Sequence, residues 1–140
     1  MTPTPKVVVS ASIAFDHIQQ FGGSFKDHIL EDKAHIISVS FLLDSLKHQR
    51  GGVGVNMAYN LALLGVPVAL VGAVGSDFGP YREVLEELGV DLTWVTQVED
   101  DLTASAYMNA DMAGNQIASF YPGPGALTRE MDLNDVAAQA

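Results

Sequence analysis

Asp16 and Asn56 are the residues of this chain best placed to do chemistry. Asp16 follows an apolar stretch that runs from Val7 to Phe15, and Asn56 comes just after Gly51, Gly52 and Gly54 at the mouth of an amphipathic pattern. A carboxylate just beyond an apolar strand is costly if it is buried without partners. The same group can accept hydrogen bonds from neighbouring hydroxyls, the arrangement a vicinal diol offers. Asn56 would add an amide oxygen that accepts and an amide nitrogen that donates. Gly51 and Gly52 lack a Cβ and would let a sugar ring lie against bare main chain. Plainer readings stand beside this one: Asp16 as a capped or solvated strand end, and the glycines as a tight turn into a helix.

Other chemistries find less support. Gly52 and Gly54 match the opening of the dinucleotide fingerprint G-x-G-x-x-G, but Met57 stands where its last glycine belongs, and no Gly-Lys pair exists to build a Walker A loop. His17, His28, His35 and His48 show no H-E-x-x-H spacing, and the chain has no cysteine, so no metal site is expected. No G-x-S-x-G element marks a serine hydrolase. Asp77, in "VGSDFGP", is expected to shape the turn into the helix that follows. A formal net charge of -10 argues against nucleic acid or an anionic membrane surface as a partner. The lack of cysteine suits a reducing compartment. The start "MTPTPK" lacks the build of a secretory signal, and no apolar run is long enough to cross a bilayer. The expectation is a soluble cytoplasmic protein.

Periodicity shows which elements would position these residues. With 140 residues, 48% of them apolar, the chain suits one modest domain with a core. "VVVSASIAF" (7–15) and "VPVALVGAV" (66–74) are near-continuous apolar runs, as strands covered on both faces of a parallel sheet are. The helix after the glycines is expected to turn Met57, Ala58, Leu61, Ala62 and Leu64 inward. In "PYREVLEELG", Pro80 suits a first turn, Tyr81, Val84, Leu85 and Leu88 recur at helical spacing, and Gly89 suits a left-handed cap. Arg82 and Glu86 would pair on its outer side. With "LTWVT" as a further strand, the alternation predicts an α/β sheet with right-handed crossovers.

Two segments break that rhythm. "HIISVSFLLDSLKHQ" alternates, with Ile37, Val39, Phe41 and Leu43 on one face and Ser38 and Ser40 on the other. "TASAYMNADMAGNQIASFY" reads as a hairpin turning near Ala113 and Gly114. These one-sided strands predict a small separate antiparallel sheet. "YPGPGAL" reads as a rigid loop. Asp132 suits the N-cap of a helix carrying Leu133, Val136 and Ala137. That helix has barely begun when the chain stops, so a truncated chain is expected.

"GGVGVNMAYNLALLGVPVALVGAVGSDFG" resembles the amino-terminal signature of the ribokinase/PfkB family of carbohydrate and nucleoside kinases. "SIAFDHI", "SVSFLLDSLKHQRGG" and "NQIASFYPG" are similar to the bacterial ribokinase-type adenosine kinases within it, in the same order over nearly the whole chain. The resemblance implies a ribokinase-like parallel sheet flanked by helices, with a small antiparallel β lid. Residues 1–140 would be the amino-terminal portion of that domain, with lid segments at approximately 35–49 and 103–121. It implies ATP-dependent phosphorylation of a sugar or nucleoside primary hydroxyl. ATP and Mg²⁺ would serve the complete enzyme, with neither bound by this segment alone. By position, Asp16 and Asn56 would bind the sugar hydroxyls, and Gly51 and Gly52 would approach the ring. Ser12 and Ser40 would neighbour it, and Phe120 would stack on a purine or cover the sugar. A closing lid would keep water from the phosphoryl group. Pairing of two copies through the lid is implied as well.

Departures from the family pattern sharpen the reading. Adenosine-specific members tend to carry an aromatic residue where this chain has Ala106, and Tyr107 faces the other way by strand alternation. Adenosine, another nucleoside and a sugar therefore stay open. The family's Gly-Ala-Gly-Asp run, which supplies an anion hole and the aspartate that accepts the hydroxyl proton, is absent from the sequence. In "PGPGAL", Pro124 has no N–H to donate. Catalytic residues are thus expected beyond Ala140, leaving the acceptor half here without the donor half. The competing readings are a non-catalytic nucleoside- or sugar-binding module and a dinucleotide-binding domain of an oxidoreductase.

Overall fold

A computed structural model describes residues 7–29 and 38–139. In chain order the regular elements are β1 (Val7–Ser10), β2 (Ala14–Gln20), β3 (Ser45–Gly51), α1 (Val53–Leu63), β4 (Val68–Gly75), α2 (Gly79–Glu87), β5 (Asp91–Val98), β6 (Ala104–Ala110), β7 (Gln116–Tyr121) and α3 (Leu133–Gln139). The architecture is α/β, with two sheets. The chain divides into two compact units, one of Met1–Phe15, Arg50–Ser105 and Tyr121–Ala140, the other of Asp16–Gln49 and Ala106–Phe120.

The first unit is built on a parallel sheet in the order β1-β4-β5. Val7 pairs with Val68 and Ser10 with Val71 on one side of β4, and Gly75 pairs with Val98 on the other. Every residue of β4 is buried, which is why its sequence is uniformly small and apolar rather than alternating. Around it pack Val55 and Ala58 from α1, Tyr81 and Leu85 from α2, and Phe78 from the turn before α2. Pro80 lies in the first turn of α2 and Gly89 follows its end at φ 80, as the sequence predicts. Arg82 and Glu86 pair at 3.7 Å on the outside.

α1 turns inward only part of the expected face, with Ala58, Leu61 and Ala62 against the core but not Met57 or Leu64. Gly54, Val55 and Ala58 are buried, whereas Met57 is 50% and Leu64 78% exposed. Leu61 and Ala62 are half-buried against the core. The cause is Gly54, where a Cβ would lie 2.7 Å from the Ala11 carbonyl oxygen. That close approach sets the helix rotation.

The apolar run from Val7 to Phe15 is not one strand. β1 ends at Ser10, and β2 starts at Ala14 as a member of the other sheet. Hydropathy stays high across the break because Ile13 and Phe15 fill the first unit's core, Ile13 lying 2.7 Å from where a Cβ on Gly72 would stand.

The second unit rests on a four-stranded sheet in the order β3-β2-β6-β7. β6 and β7 form the expected hairpin, closed by the Asp111 N–H donating to the Asn115 carbonyl at 3.0 Å, with Gly114 at φ 82 in the turn. The unit takes in residues 16–29, which the expected lid segments left out. β2 supplies the strand between β3 and β6, and without it the sheet would fall into two pieces. The expected strand before β3 is irregular from 38 to 44, and His35, Ile36 and Ile37 lie outside the described residues. Its alternation survives in burial alone: Val39, Phe41 and Leu43 are half-buried, while Ser38, Ser40 and Leu42 are exposed. Phe41 packs on Phe21 and Phe25 at ring-centre distances of 4.8 and 5.1 Å, a local aromatic core.

Towards the carboxyl end, "YPGPGAL" is not a loop: Tyr121 ends β7, and Gly123 begins a 3-10 helix, Gly123–Glu130, that buries Pro124. Asp132 caps α3 by accepting the Asn134 N–H at 2.8 Å. Val136 is buried.

Candidate functional site

The glycine turn and Ser12 form one cluster in the first unit. Gly52 adopts φ 93, and a Cβ there would lie 2.5 Å from the Ser12 carbonyl oxygen and 2.7 Å from the Ala14 nitrogen. The main chain of the β1–β2 link already fills that space. Ser12 Oγ accepts the Val53 N–H at 3.0 Å, and its carbonyl accepts the Gly54 N–H at 2.9 Å. The Tyr81 hydroxyl donates to the Gly51 carbonyl at 3.0 Å. The turn that precedes Asn56 is therefore held by three hydrogen bonds, two to Ser12 and one from Tyr81.

Asn56 sits in the first turn of α1 with its side chain exposed. It borders a cleft of about 180 Å³ lined with Arg50, Val55, Tyr59 and Tyr81. On its other side is an open groove of about 480 Å³ with Val53, Met57, Asn60, Leu61 and Leu64. Arg50 lies 5.9 Å from the Tyr81 ring centre. Arg50 and Tyr59 carry no signal in the sequence, and Tyr81 is marked there only as an apolar position of a helix. They come from β3, α1 and α2, and no spacing in the chain announces that they line one cleft.

In the second unit, ring contacts show which residues share a face. His17 stacks on His48 at 4.5 Å and on Tyr107 at 4.3 Å, with planes within 9° and 6° of parallel. These rings lie on adjacent strands, so strand alternation turns Asp16 and Ala106 to the opposite face. Counting back from the Asp111–Asn115 pair sets Ala106 opposite Phe120 on β7. Asp16, Ala106 and Phe120 thus share one face. Asp16 is half-buried and lies inside β2, not at the end of a parallel strand as its position in the sequence suggested. Phe120 is 74% exposed. Ser40 lies in the irregular stretch before β3, off the strands.

Other carboxylates are engaged in holding the fold. Asp77 accepts the Thr103 N–H at 2.8 Å and its hydroxyl at 2.6 Å, and the same hydroxyl oxygen accepts the Gly75 N–H at 3.0 Å. That fits the turn-shaping role expected of Asp77, reached through a residue far along the chain. Asp111 is buried at the hairpin tip, where it accepts N–H groups of Phe25, Ala113 and Asn115 and the Asn115 side-chain amide, all within 3.0 Å. Burial works to raise its carboxyl, but these hydrogen bonds outweigh that and hold it at about 2, below the ordinary 3.8. Among the described residues, no three His, Cys, Asp or Glu side chains gather in a way that could hold a metal ion. None of their helices is long and apolar enough to cross a membrane.

The three-stranded parallel sheet with its helices, joined in sequence to a four-stranded sheet, matches the ribokinase-like class of fold. Nucleoside kinase from Burkholderia thailandensis superposes in its ligand-free form with a TM-score of 0.76 at 35% identity, covering 89% of this chain and 41% of that one. The same enzyme solved in complex with inosine matches with a TM-score of 0.69 at 33% identity, covering 89% of this chain and 39% of that one. Nucleoside kinase of Methanothermobacter thermautotrophicus is 36% identical over 88 residues, 61% of this chain and 28% of that protein. The family model for pfkB family carbohydrate kinase matches residues 22–139, and the chain belongs to that family. It spans well under half the length of these relatives.

Proposed function

We propose that this chain carries the acceptor-binding part of an ATP-dependent kinase that phosphorylates a nucleoside primary hydroxyl, in the manner of an adenosine kinase. The observation that carries this reading is the shared face of Asp16, Ala106 and Phe120. Asp16 would accept hydrogen bonds from ribose hydroxyls, and Phe120 would stack on a base. Ala106 leaves room beside Phe120 for a base held on one ring face rather than sandwiched. Asn56 would bind the hydroxyls through its amide, with Ser12, Gly51, Gly52 and Ser40 as neighbours of the sugar. The similarity to nucleoside kinases, one of them solved with inosine, favours a nucleoside over a free sugar.

Transfer of the γ-phosphoryl group falls, in this proposal, to the portion of the family fold by which relatives exceed this chain. The anion hole, the proton-accepting aspartate and the sites for ATP and Mg²⁺ belong there. Among the described residues no three His, Cys, Asp or Glu side chains gather to hold a metal ion, so no step through the metal is assigned to them. A homodimer through the second unit's sheet and a cytoplasmic location complete the proposal.

Calorimetric titration of the 140-residue chain with adenosine, inosine and ribose tests it. Both nucleosides are expected to bind more tightly than ribose. Asp16→Asn should weaken them by on the order of 100-fold, as expected for loss of a charge-assisted hydrogen bond. Phe120→Ala should weaken nucleosides alone. Equal affinity for ribose, unmoved by Phe120→Ala, would turn the reading to a sugar. Binding indifferent to Asp16→Asn would remove the site.

A further inference from the structure

The cleft beside Asn56 holds a charged side chain that none of the roles above uses, Arg50. Its lining of Arg50, Val55, Asn56, Tyr59 and Tyr81 belongs wholly to the first unit. At about 180 Å³ the cleft is smaller than the roughly 300–1,000 Å³ of a pocket that encloses a whole small-molecule ligand. It suits one small group. Among the described lining residues Arg50 alone is charged, and none is a carboxylate. The chain has 17 acidic residues against 7 basic ones, yet the salt bridge among the described residues is Arg82–Glu86, on α2. Arg50 lies instead over the Tyr81 ring, 5.9 Å from its centre.

Tyr81 is a fixed platform for that cation. It is buried, its ring packs on Phe15 and Phe78 with centres 5.4 and 5.2 Å apart, and its hydroxyl donates to the Gly51 carbonyl at 3.0 Å. The guanidinium is thus positioned without losing its charge, since arginine stays protonated at any ordinary pH. Its planar fork matches two oxygens of a phosphate. Asn56 brings a side-chain amide and Tyr59 a phenol to the same cleft, both able to donate. One cation and two neutral donors, with no lining carboxylate, form a set that accepts an anion and rejects a cation.

We propose that this cleft binds a phosphate dianion, held by Arg50 with Asn56 and Tyr59. Such a group has two sources, free phosphate or the ester that phosphorylation puts on the acceptor's primary hydroxyl. Asn56 favours the ester, because the residue proposed to hold the acceptor also lines this cleft. That preference rests on the proposed acceptor site, whereas the anion site does not. The net charge of -10 works against any dianion. Binding is therefore weak, depends on the local cation, and falls as salt is added.

Calorimetric titration of the chain with inorganic phosphate, inosine and inosine 5′-monophosphate tests it, alongside Arg50→Gln and Arg50→Lys. The monophosphate is expected to bind on the order of 10-fold more tightly than inosine, the gain of a charge-assisted hydrogen bond. Arg50→Gln should bring those two affinities together and abolish binding of inorganic phosphate. Arg50→Lys, a point charge without the fork, should keep part of both. Should Arg50→Gln disturb the fold, read from the fluorescence of Trp94, Arg50→Lys decides by its lowered phosphate affinity. Arg50-dependent binding of inorganic phosphate with no gain for the monophosphate keeps the anion site and assigns it to free phosphate. Phosphate bound by a chain that ignores inosine also keeps it, and removes the acceptor reading instead. No binding of either phosphate, or affinities that the Arg50 variants leave unmoved, overturns the anion site.

Discussion

β4 is buried along its whole length, whereas β7 is exposed along its whole length. Each is six to eight residues of strand in a sheet of three or four, yet they are held by different means. The first unit gathers Leu70, Val74, Phe78, Tyr81 and Leu85 around β4, and little but apolar contact is needed. The second unit has few buried residues among those described and relies on local devices: the Phe21–Phe25–Phe41 rings, the His48–His17–Tyr107 row and the Asp111 hub. A sheet covered on both faces is stabilised by area. A sheet with an open face must be stabilised by particular pairs, and those pairs leave side chains such as Asp16 and Phe120 in reach of solvent.

The contrast breaks first, if it breaks, in the first unit. Leu85→Ala is expected to cost about 3 kcal/mol, a buried large-to-small change in a packed core, read as a lower urea midpoint followed by the fluorescence of Trp94 on β5. A loss below about 1 kcal/mol would mean that this unit is less tightly packed than β4's burial implies.

A smaller, pH-dependent effect belongs to the second unit. Asp111 ionises at about 2 in the folded chain against an ordinary 3.8. Its ionised form therefore favours the folded hairpin tip at every pH above that ordinary value, and the contribution is lost as pH falls towards about 2. Amide signals of Phe25 and Asn115 should shift together over that acid range, and Asp111→Asn should abolish the dependence. Unchanged amide signals would leave the hub without a stabilising role. The smallest effect is expected from Arg82→Ala on the outside of α2. The Arg82–Glu86 pair and the stacking of Arg82 over Phe78 at 5.6 Å together contribute under about 1 kcal/mol. A larger loss in thermal melting would show that the surface carries more of the first unit's stability than its core suggests.

Much of the first unit was legible because its signals are local. Pro80, Tyr81, Leu85 and Gly89 specify a helix and its end within ten residues of chain. The Gly114 turn is equally local. The stretch from Val7 to Phe15 misled because hydropathy reports burial and not the partner that buries. Ile13 and Phe15 are as buried as Val9, yet β1 and β2 belong to different sheets. The face of α1 misled for a related reason. Helical spacing admits several rotations, and the one adopted depends on Gly54 meeting Ala11 from another part of the chain. Among the candidate site residues, Asp16, Asn56 and Phe120 were found by type and by family pattern. Arg50, Tyr59 and Tyr81 were not, since only folding brings them to one cleft.

What the sequence determined by itself was the three α-helices, the β6–β7 hairpin, the family and the candidate residues for holding hydroxyls, because propensity, periodicity and side-chain chemistry act over a few neighbours. Tertiary structure alone decided which sheet each strand joined, which way α1 rolled, and that Asp16, Ala106 and Phe120 share a face while His17, His48 and Tyr107 share the other. Those outcomes depend on register between distant strands, where a shift of one residue reverses every side chain, and no local stretch of the chain encodes that choice.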